Sequence, residues 1–376
     1  SGVGVAFYLA IAIRSNLRAA GFFKGRPEPD LRSYLDLVAL GTIADIVPLI
    51  EENRVLVKKG IKGLIDSQRP GIKALLRVSG IRRDQIITTE DIAFKLAPRL
   101  NAMGRLGSAT RAVHLLTTDN ETEASIIADQ MSSLNTQRQA VEKRIFSEIR
   151  ERIDRMEDLQ GRRTIVLFDP GWHRGVVGIV ASKIAEEYYR PALILTLEGD
   201  LLRGSGRSID GFDLYQALSD LKGLLQQFGG HSHAAGVSLE TKNIGEFCDR
   251  FEELARERID TEDMIPKIEV DARLPVESIN PRVLKEIEML PPFGHKNPPP
   301  VFWAGPLKVI SSRVVGKDHL KLRVKAKGIS FDCIAFGKAA SHPLEGKSVD
   351  ILFHLGTNTW QGIESIQLVI VDLHLN

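Results

Sequence analysis

From His319 to Lys327 the chain alternates without a break: His319, Lys321, Arg323, Lys325 and Lys327 are basic or imidazole, while Leu320, Leu322, Val324 and Ala326 are apolar. At period two this predicts a β-strand that buries one face and shows a row of cations on the other. Such a row suits an edge strand kept soluble by lysine, or a face that follows a polyanionic backbone. Short alternating segments separated by turn residues surround it from about residue 266 onward, which predicts a small β-barrel. The Pro-rich passage Leu290–Pro300 is too stiff and irregular for a core element.

Other periods rule the rest of the chain. Residues 1–118 read as mostly helical, with an apolar stretch after Leu31–Leu40 and short amphipathic helices at Gly71–Val78 and Asp91–Leu96. Residues 119–160 contain few Gly or Pro. Ile126, Ile127, Met131, Leu134, Val141, Ile145 and Ile149 recur there at helical spacing, which predicts one or two long helices charged on the outside and connecting two domains. The texture changes at Gly161. Thr164–Phe168 reads as a buried strand, a Gly-rich loop follows, and a helix over Val176–Tyr189 ends before Pro191 and a second strand at Ala192–Leu197. This strand–helix–strand unit predicts an α/β domain running to about residue 262 and closing with a helix over Phe247–Arg258. The class is α/β multidomain.

A length of 376 residues requires more than one core. The composition, 43% hydrophobic and 26% charged, is that of a soluble globular protein, and no apolar run reaches the roughly 18 residues of a membrane span. Ser1–Leu9 is apolar without a basic leader and reads as a buried helix. Two lone cysteines, Cys248 and Cys333, exclude a disulfide framework and a thiolate zinc site and suit a reducing cytoplasm. The net charge of +2 hides an uneven distribution. Arg54–Thr118 carries thirteen basic against four acidic residues, Pro306–Gly328 seven against one, and Glu240–Leu290 eight against fourteen. Two basic blocks point to a polyanionic partner, although solvated helix faces give similar counts.

Five motifs carry candidate chemistry. Asp45 is the single carboxylate of the apolar run Ala39–Leu49; a buried Asp must be hydrogen-bonded, paired or metal-bound, whereas a helix cap at a turn is the plain alternative. In Pro98–Leu106, Arg99, Asn101 and Arg105 flank a glycine ahead of a helix, and guanidinium forks match phosphate oxygens. The stretch Arg203-Gly204-Ser205-Gly206-Arg207-Ser208 interleaves glycines with donors, the outline of a phosphate cradle or of a hairpin loop. Phe228–Gly236 combines paired glycines with His231 and His233 and suits a close approach or a helix-entry turn. Finally, Gly171–Gly175, with His173, lies on a strand-to-helix loop, where open α/β sheets bind ligands.

Together and in this order the motifs resemble the RecJ family of the DHH phosphoesterase superfamily. The resemblance rests on Gly-Thr-Ile-Ala-Asp (41–45), Pro-Arg-Leu-Asn-Ala-Met-Gly-Arg-Leu (98–106), Gly-Trp-His-Arg-Gly (171–175), Gly-Ser-Gly-Arg-Ser (204–208), Phe-Gly-Gly-His (228–231) and Leu-Pro-Pro-Phe-Gly (290–294). It implies the C-terminal part of a DHH domain (1–118), a connecting helix (119–160), a DHHA1 domain (161–262) and an OB-fold (266–376). It also implies a metal-dependent 5′→3′ exonuclease specific for single-stranded DNA, using two Mn²⁺ or Mg²⁺ ions in DNA repair and recombination. Asp45 would be a metal ligand. Arg99, Asn101, Arg105, His173, Ser205 and Arg207 would hold phosphates, His231 would be catalytic, and Lys321, Arg323 and Lys325 would bind the strand. A single-strand-binding protein and a recombination helicase are the implied partners.

The family's Asp-x-Asp pair, further Asp and Asp-His-His triplet have no counterpart among these residues, and Ser1–Val5 matches the stretch shortly after that triplet. The expectation is therefore a chain lacking its N-terminal metal-binding segment, inactive alone, with an apolar patch exposed in 1–118. Two other readings stay open: a phosphodiesterase of the same superfamily acting on short oligonucleotides or cyclic dinucleotides, and a non-catalytic single-strand-binding fragment.

Overall fold

The computed structural model describes every residue except Arg83 and Gln361. The helices, in chain order, are α1 (Gly2–Ala19), α2 (Leu35–Ala44), α3 (Glu51–Asp66), α4 (Pro70–Val78), α5 (Thr89–Asp91), α6 (Ala97–Leu106), α7 (Ala109–Thr117), α8 (Glu121–Asp154), α9 (Arg174–Tyr188), α10 (Leu214–Asp220), α11 (Ile244–Arg258) and α12 (Pro281–Ile287). The strands are β1 (Ile165–Phe168), β2 (Ala192–Glu198), β3 (Leu201–Arg207), β4 (Gln227–His231), β5 (Ala234–Glu240), β6 (Ala272–Arg273), β7 (Phe302–Val315), β8 (His319–Ala326), β9 (Ile329–Ala335), β10 (Ser348–Trp360) and β11 (Ile363–Leu375). They form two compact units, one of residues 1–66, 86–93 and 268–376, the other of 67–85 and 94–267.

In the first unit α2 crosses α3 closely, because a Cβ on Gly60 would stand 2.1 Å from the Leu35 carbonyl oxygen. Helix α1 is apolar nearly all round but packs on one side only. Of its residues only Gly4 is buried, and Val5 and Leu9 are 71% and 60% exposed. The expected buried N-terminal helix is therefore a helix but not a buried one, and the expected apolar patch in 1–118 is present. The barrel closes in the order β7–β8–β9–β11–β10 and back to β7, with β6 added beside β7. Leu320, Leu322 and Val324 of β8 point inward with Val309, Cys333, Ile351, Phe353 and Leu368. The period-two reading holds over 319–326, while Lys327 falls in the following turn at φ 49° and pairs with Glu277; β8 lies between β7 and β9, so it is not an edge strand.

In the second unit α8 is one helix of 34 residues, started by the Asn120 side chain, which accepts from the Glu123 amide. Its sheet runs β1–β2–β3–β5–β4, parallel only between β1 and β2, the pair joined through α9. One face buries Leu193, Leu195, Leu202, Val237 and Leu239 against α10 and α11. The opposite face packs Ile165, Ala192 and Ile194 against α8 and α9.

Two local expectations are corrected. Residues 203–207 are not a loop but lie in the body of β3, hydrogen-bonded to β2 and β5 on either side. The glycines there serve strand packing: a Cβ on Gly204 would meet the Ile194 carbonyl oxygen at 2.0 Å, and one on Gly206 would meet Leu193 and Leu214 side chains below 3 Å. Phe228–His231 is likewise strand β4 rather than a helix entry. Pro98–Leu106 does precede a helix, α7, and is itself helical, forming α6 with Pro98 in the first turn, where its missing N–H costs nothing.

Candidate functional site

Alternation along β3 sends Gly204 and Gly206 to one face and Arg203, Ser205 and Arg207 to the other. In register with them stand Ser238, Gly236 and Ala234 of β5, then Gln227, Gly229 and His231 of β4. Helix α9 covers this face as far as β3, where Gly178 lets it close onto Ser205: a Cβ there would lie 3.2 Å from the hydroxyl. Beyond α9 the small residues leave a cavity of about 550 Å³, lined among others by Arg105, Arg174, Arg203, Ser205, Arg207, Gln227 and Gly236.

Four guanidinium groups converge there. Arg105 reaches from α6 and donates to the Gly175 carbonyl at 3.0 Å, in the first turn of α9. A side chain on Gly175 would strike the Arg105 backbone oxygen at 2.4 Å, so the glycine permits the close crossing. Arg207 donates to the Ser205 hydroxyl at 3.0 Å and to the Gly206 carbonyl at 2.8 Å. Glu198 at the end of β2 pairs with Arg174 at 3.1 Å and with Arg203 at 3.6 Å. Neither Arg105 nor Arg207 forms an ion pair among the described residues. Burial holds the Arg207 guanidinium below its ordinary value, and the Arg105 charge adds to the effect. Burial does the same to Arg105, with Arg138 opposing its charge and Glu142 supporting it. Two half-desolvated cations close together, neither in ion-pair contact with a carboxylate among the described residues, favour an anion between them.

The N-terminus of α9 adds to this field. His173 caps it, its Nδ1 accepting from the Gly175 amide at 3.0 Å. The loop before it is anchored to α8: buried Trp172 donates to Glu148 at 2.8 Å, and Asp169 pairs with Arg152 while accepting from the Gly171 amide at 2.8 Å. The Arg152 hydrogen bond, together with that amide, holds the Asp169 carboxyl below its usual range.

Of the residues expected to hold phosphate, Arg105, Ser205 and Arg207 line the cavity, whereas Arg99, Asn101 and His173 do not. Arg99 turns toward α8, donating to the Lys95 carbonyl at 2.6 Å and the Ser132 hydroxyl at 3.4 Å. Asn101 is exposed on α6, and His173 acts as a cap. His231 closes β4 at the rim, exposed, in register with Ala234 and through it with Arg207, two strands or roughly 10 Å away. Its Nδ1 accepts from the His233 amide at 3.3 Å. Arg174 and Arg203 fall in motifs singled out from the sequence but were not among the expected phosphate ligands, and Gln227 lies outside every motif; alternation through 203, 205 and 207 was the available signal.

In the first unit Asp45 is exposed, not buried, at the C-cap of α2. Its neighbour Ile46 is a β-branched residue at φ 53°. No group of three or more His, Cys, Asp or Glu able to hold a metal occurs among the described residues. The residues present therefore do not fit a two-metal centre. On the barrel, Lys321, Arg323 and Lys325 point outward from β8, with Lys308 and Arg313 of β7 opposite Lys325 and Lys321. The only acid opposite the row on β9 is Asp332, 4.0 Å from Arg323.

An α/β domain with an anion-attracting groove, joined in one chain to a barrel with a cationic face, defines a polyanion-binding class. Residues 161–257 match the DHHA1 domain and 270–372 the RecJ OB domain. The chain is 39% identical to the single-stranded-DNA-specific exonuclease RecJ of Salmonella typhimurium, over 99% of this chain and 67% of that one. It is 37% identical to RecJ of Bacillus subtilis, over 99% of this chain but 46% of that one. The crystal structure of RecJ from Thermus thermophilus in complex with Mg²⁺ superposes with a TM-score of 0.80 at 31% identity, covering 93% of this chain and 53% of that one. The chain belongs to the RecJ family of single-stranded-DNA-specific exonucleases. It spans about half the length of the Bacillus and Thermus relatives.

Proposed function

We propose that the whole protein removes nucleotides from single-stranded DNA in the 5′→3′ direction, using Mn²⁺ or Mg²⁺. The observation that carries this reading is the convergence of Arg105, Arg207 and Ser205 in one groove, where the two arginines have no carboxylate partner among the described residues. Such a groove receives a terminal phosphate. His231 at its rim is the proposed catalytic residue and would meet the scissile end. Arg99, Asn101 and His173 would act from further out, on the phosphates that follow. Lys321, Arg323 and Lys325 would hold the strand backbone. The working division is a DHH part (1–118), a connecting helix (119–160), the DHHA1 domain (161–262) and the OB-fold (266–376).

Asp45 is proposed as a metal ligand on two grounds. A carboxylate at a helix C-terminus faces the negative pole of the helix and costs about 0.3–1 kcal/mol there. The left-handed Ile46 beside it stores a further 1–3 kcal/mol or so. Neither feature helps the fold, so function is the better reason for both. One carboxylate cannot hold two divalent ions, so this chain by itself is expected to release no nucleotide. Single-strand-binding protein and a recombination helicase are the proposed partners and the cytoplasm the proposed compartment; no helix among the described residues is long and apolar enough to cross a membrane.

The test is nucleotide release by the whole protein, with Mn²⁺, from a long 5′-labelled single strand, the matching duplex and a dinucleotide. Release from the long single strand alone is expected. Turnover confined to the dinucleotide would replace this reading with that of a short-oligonucleotide phosphodiesterase, and binding without turnover with that of a strand-binding protein.

A further inference from the structure

The barrel's outer face repeats in rows. Arg313, Lys321 and Ile334 form one row, Ser311, Arg323 and Asp332 the next, and Lys308, Lys325 and Ser330 the last. Extending the register by one step toward the start of β8 reaches Val315 and His319, with Phe336 directly after the end of β9. There the chemistry changes from cationic to aromatic. Phe336 and His319 meet edge to face, ring centroids 5.2 Å apart at 80°. The imidazole is itself held, because its Nδ1 accepts from the Gly337 amide at 3.3 Å. Gly337 has φ 71°, the left-handed half of the turn that follows β9 and includes Phe336, a conformation that costs a glycine nothing.

Phe336 is nonetheless 60% exposed. A phenyl ring left in water forgoes the burial that stabilises folded proteins, and this one is braced by a neighbouring ring rather than turned into the core. Its position is the informative part. It ends a ladder of outward cations spaced two residues, or about 6.6 Å, apart along β8. Lys308, Arg313, Lys321 and Lys325 make no ion pair among the described residues. A flexible polyanion lying along that ladder carries its planar groups to the ring. Strands two and three of an OB barrel, here β8 and β9, are also the face on which such barrels bind single strands.

We propose that Phe336, braced by His319, is a base-stacking platform that fixes one nucleobase of single-stranded DNA at the end of the cationic ladder. This rests on the reading of that face as the strand-binding one and adds to it a contact with bases instead of phosphates. Stacking is indifferent to base identity, since every base has a π-face, so the platform grips without selecting sequence.

The test uses the 376-residue chain, a labelled oligo-dT strand and a strand of equal length built of abasic residues. Phe336→Ala should weaken dT binding by about 5- to 150-fold, the factor one stacked base carries. It should leave the abasic strand's affinity and the salt dependence unchanged. Phe336→Trp should restore dT binding, and the added indole emission should be quenched by dT but not by the abasic strand. Equal loss on both strands, or wild-type affinity of Phe336→Ala for dT, would overturn the platform. Lys321→Ala with Arg323→Ala separates the two levels of the argument. If that pair flattens the salt dependence while Phe336→Ala changes nothing, the cationic face stands and the platform falls. If neither variant has an effect, both fall.

Discussion

Replacing Arg207 with methionine keeps most of the stem's bulk and removes the charge, and the groove gives that change two opposite consequences. Without an anion, Arg207 is a half-desolvated cation whose burial and proximity to Arg105 both oppose its charge. Its hydrogen bonds to Ser205 and Gly206 offset this only partly, so Arg207→Met should melt at or slightly above the wild-type temperature. With a terminal phosphate bound, the variant loses at least one charge-assisted hydrogen bond worth about 1.5–3 kcal/mol, or roughly 10- to 150-fold in Kd. A 5′-phosphorylated oligonucleotide at about 100 times its wild-type Kd should stabilise the native protein by about 2.7 kcal/mol; after a roughly 100-fold loss of affinity about 0.4 kcal/mol remains. For a unit of this size that is a rise in Tm of about 5–11 °C for the wild type against about 1–2 °C for the variant. The assay is thermal unfolding with 5′-phosphorylated and 5′-hydroxyl strands of the same sequence. Equal rises for the two proteins, or for the two kinds of end in the wild type, would refute the assignment of this groove to a terminal phosphate.

Gly204→Ala should destabilise the second unit by about 1–3 kcal/mol or more, because the neighbour in its way is the β2 backbone; Gly229→Ala, with open space at its Cβ, should leave Tm nearly unchanged. Lys321→Ala with Arg323→Ala should flatten the log-affinity versus log-salt slope for a single strand by about 0.7 per lost phosphate contact, measured by anisotropy titration at several salt concentrations. Glu252 offers a pH test. Burial raises its carboxyl, but hydrogen bonds from Thr164, Arg256 and two backbone amides outweigh burial and leave it below its ordinary value. A depressed carboxylate contributes stability above its unfolded pKa and loses it as pH falls through the folded value. Glu252→Gln should therefore lower Tm at about pH 7 and shrink the wild-type loss of Tm on acidification below about pH 4.5; parallel Tm–pH curves for both proteins would count against it.

What the sequence shows depends on how local the deciding force is. Strand β8 is legible because each inward residue from Leu320 to Val324 meets the barrel interior, so the period alone sets both faces. Helix α8 is legible for the same reason at a period of about 3.6. The segment 203–207 misleads because two glycines and a serine in five residues match the composition of a turn. Their placement in a strand is decided by contacts distant in sequence, with Ile194 and Leu214. Asp45 misleads in the other direction. Its apolar flanks suggest burial, but α2 ends at Ala44 and the chain turns at Ile46, which leaves the carboxylate outside. The role of His173 was hidden as well, because a capping imidazole and a ligand-binding one look alike until the helix start is fixed.

The placement of the donors on a strand has a consequence for how the groove works. Had Ser205 and Arg207 lain on a flexible loop, as the composition suggested, ordering that loop would subtract from each binding event. In β3 the backbone is fixed by two neighbouring strands before any ligand arrives, and same-face side chains stand about 6.6 Å apart. The same alternation that presents Arg203, Ser205 and Arg207 puts Gly204 and Gly206 against β2 and α10, so the packing that locks the strand is set from its opposite face. Binding and rigidity are thus written into alternate positions of one strand. Ser205→Ala should cost affinity with little change in stability, and Gly206→Ala should do the reverse.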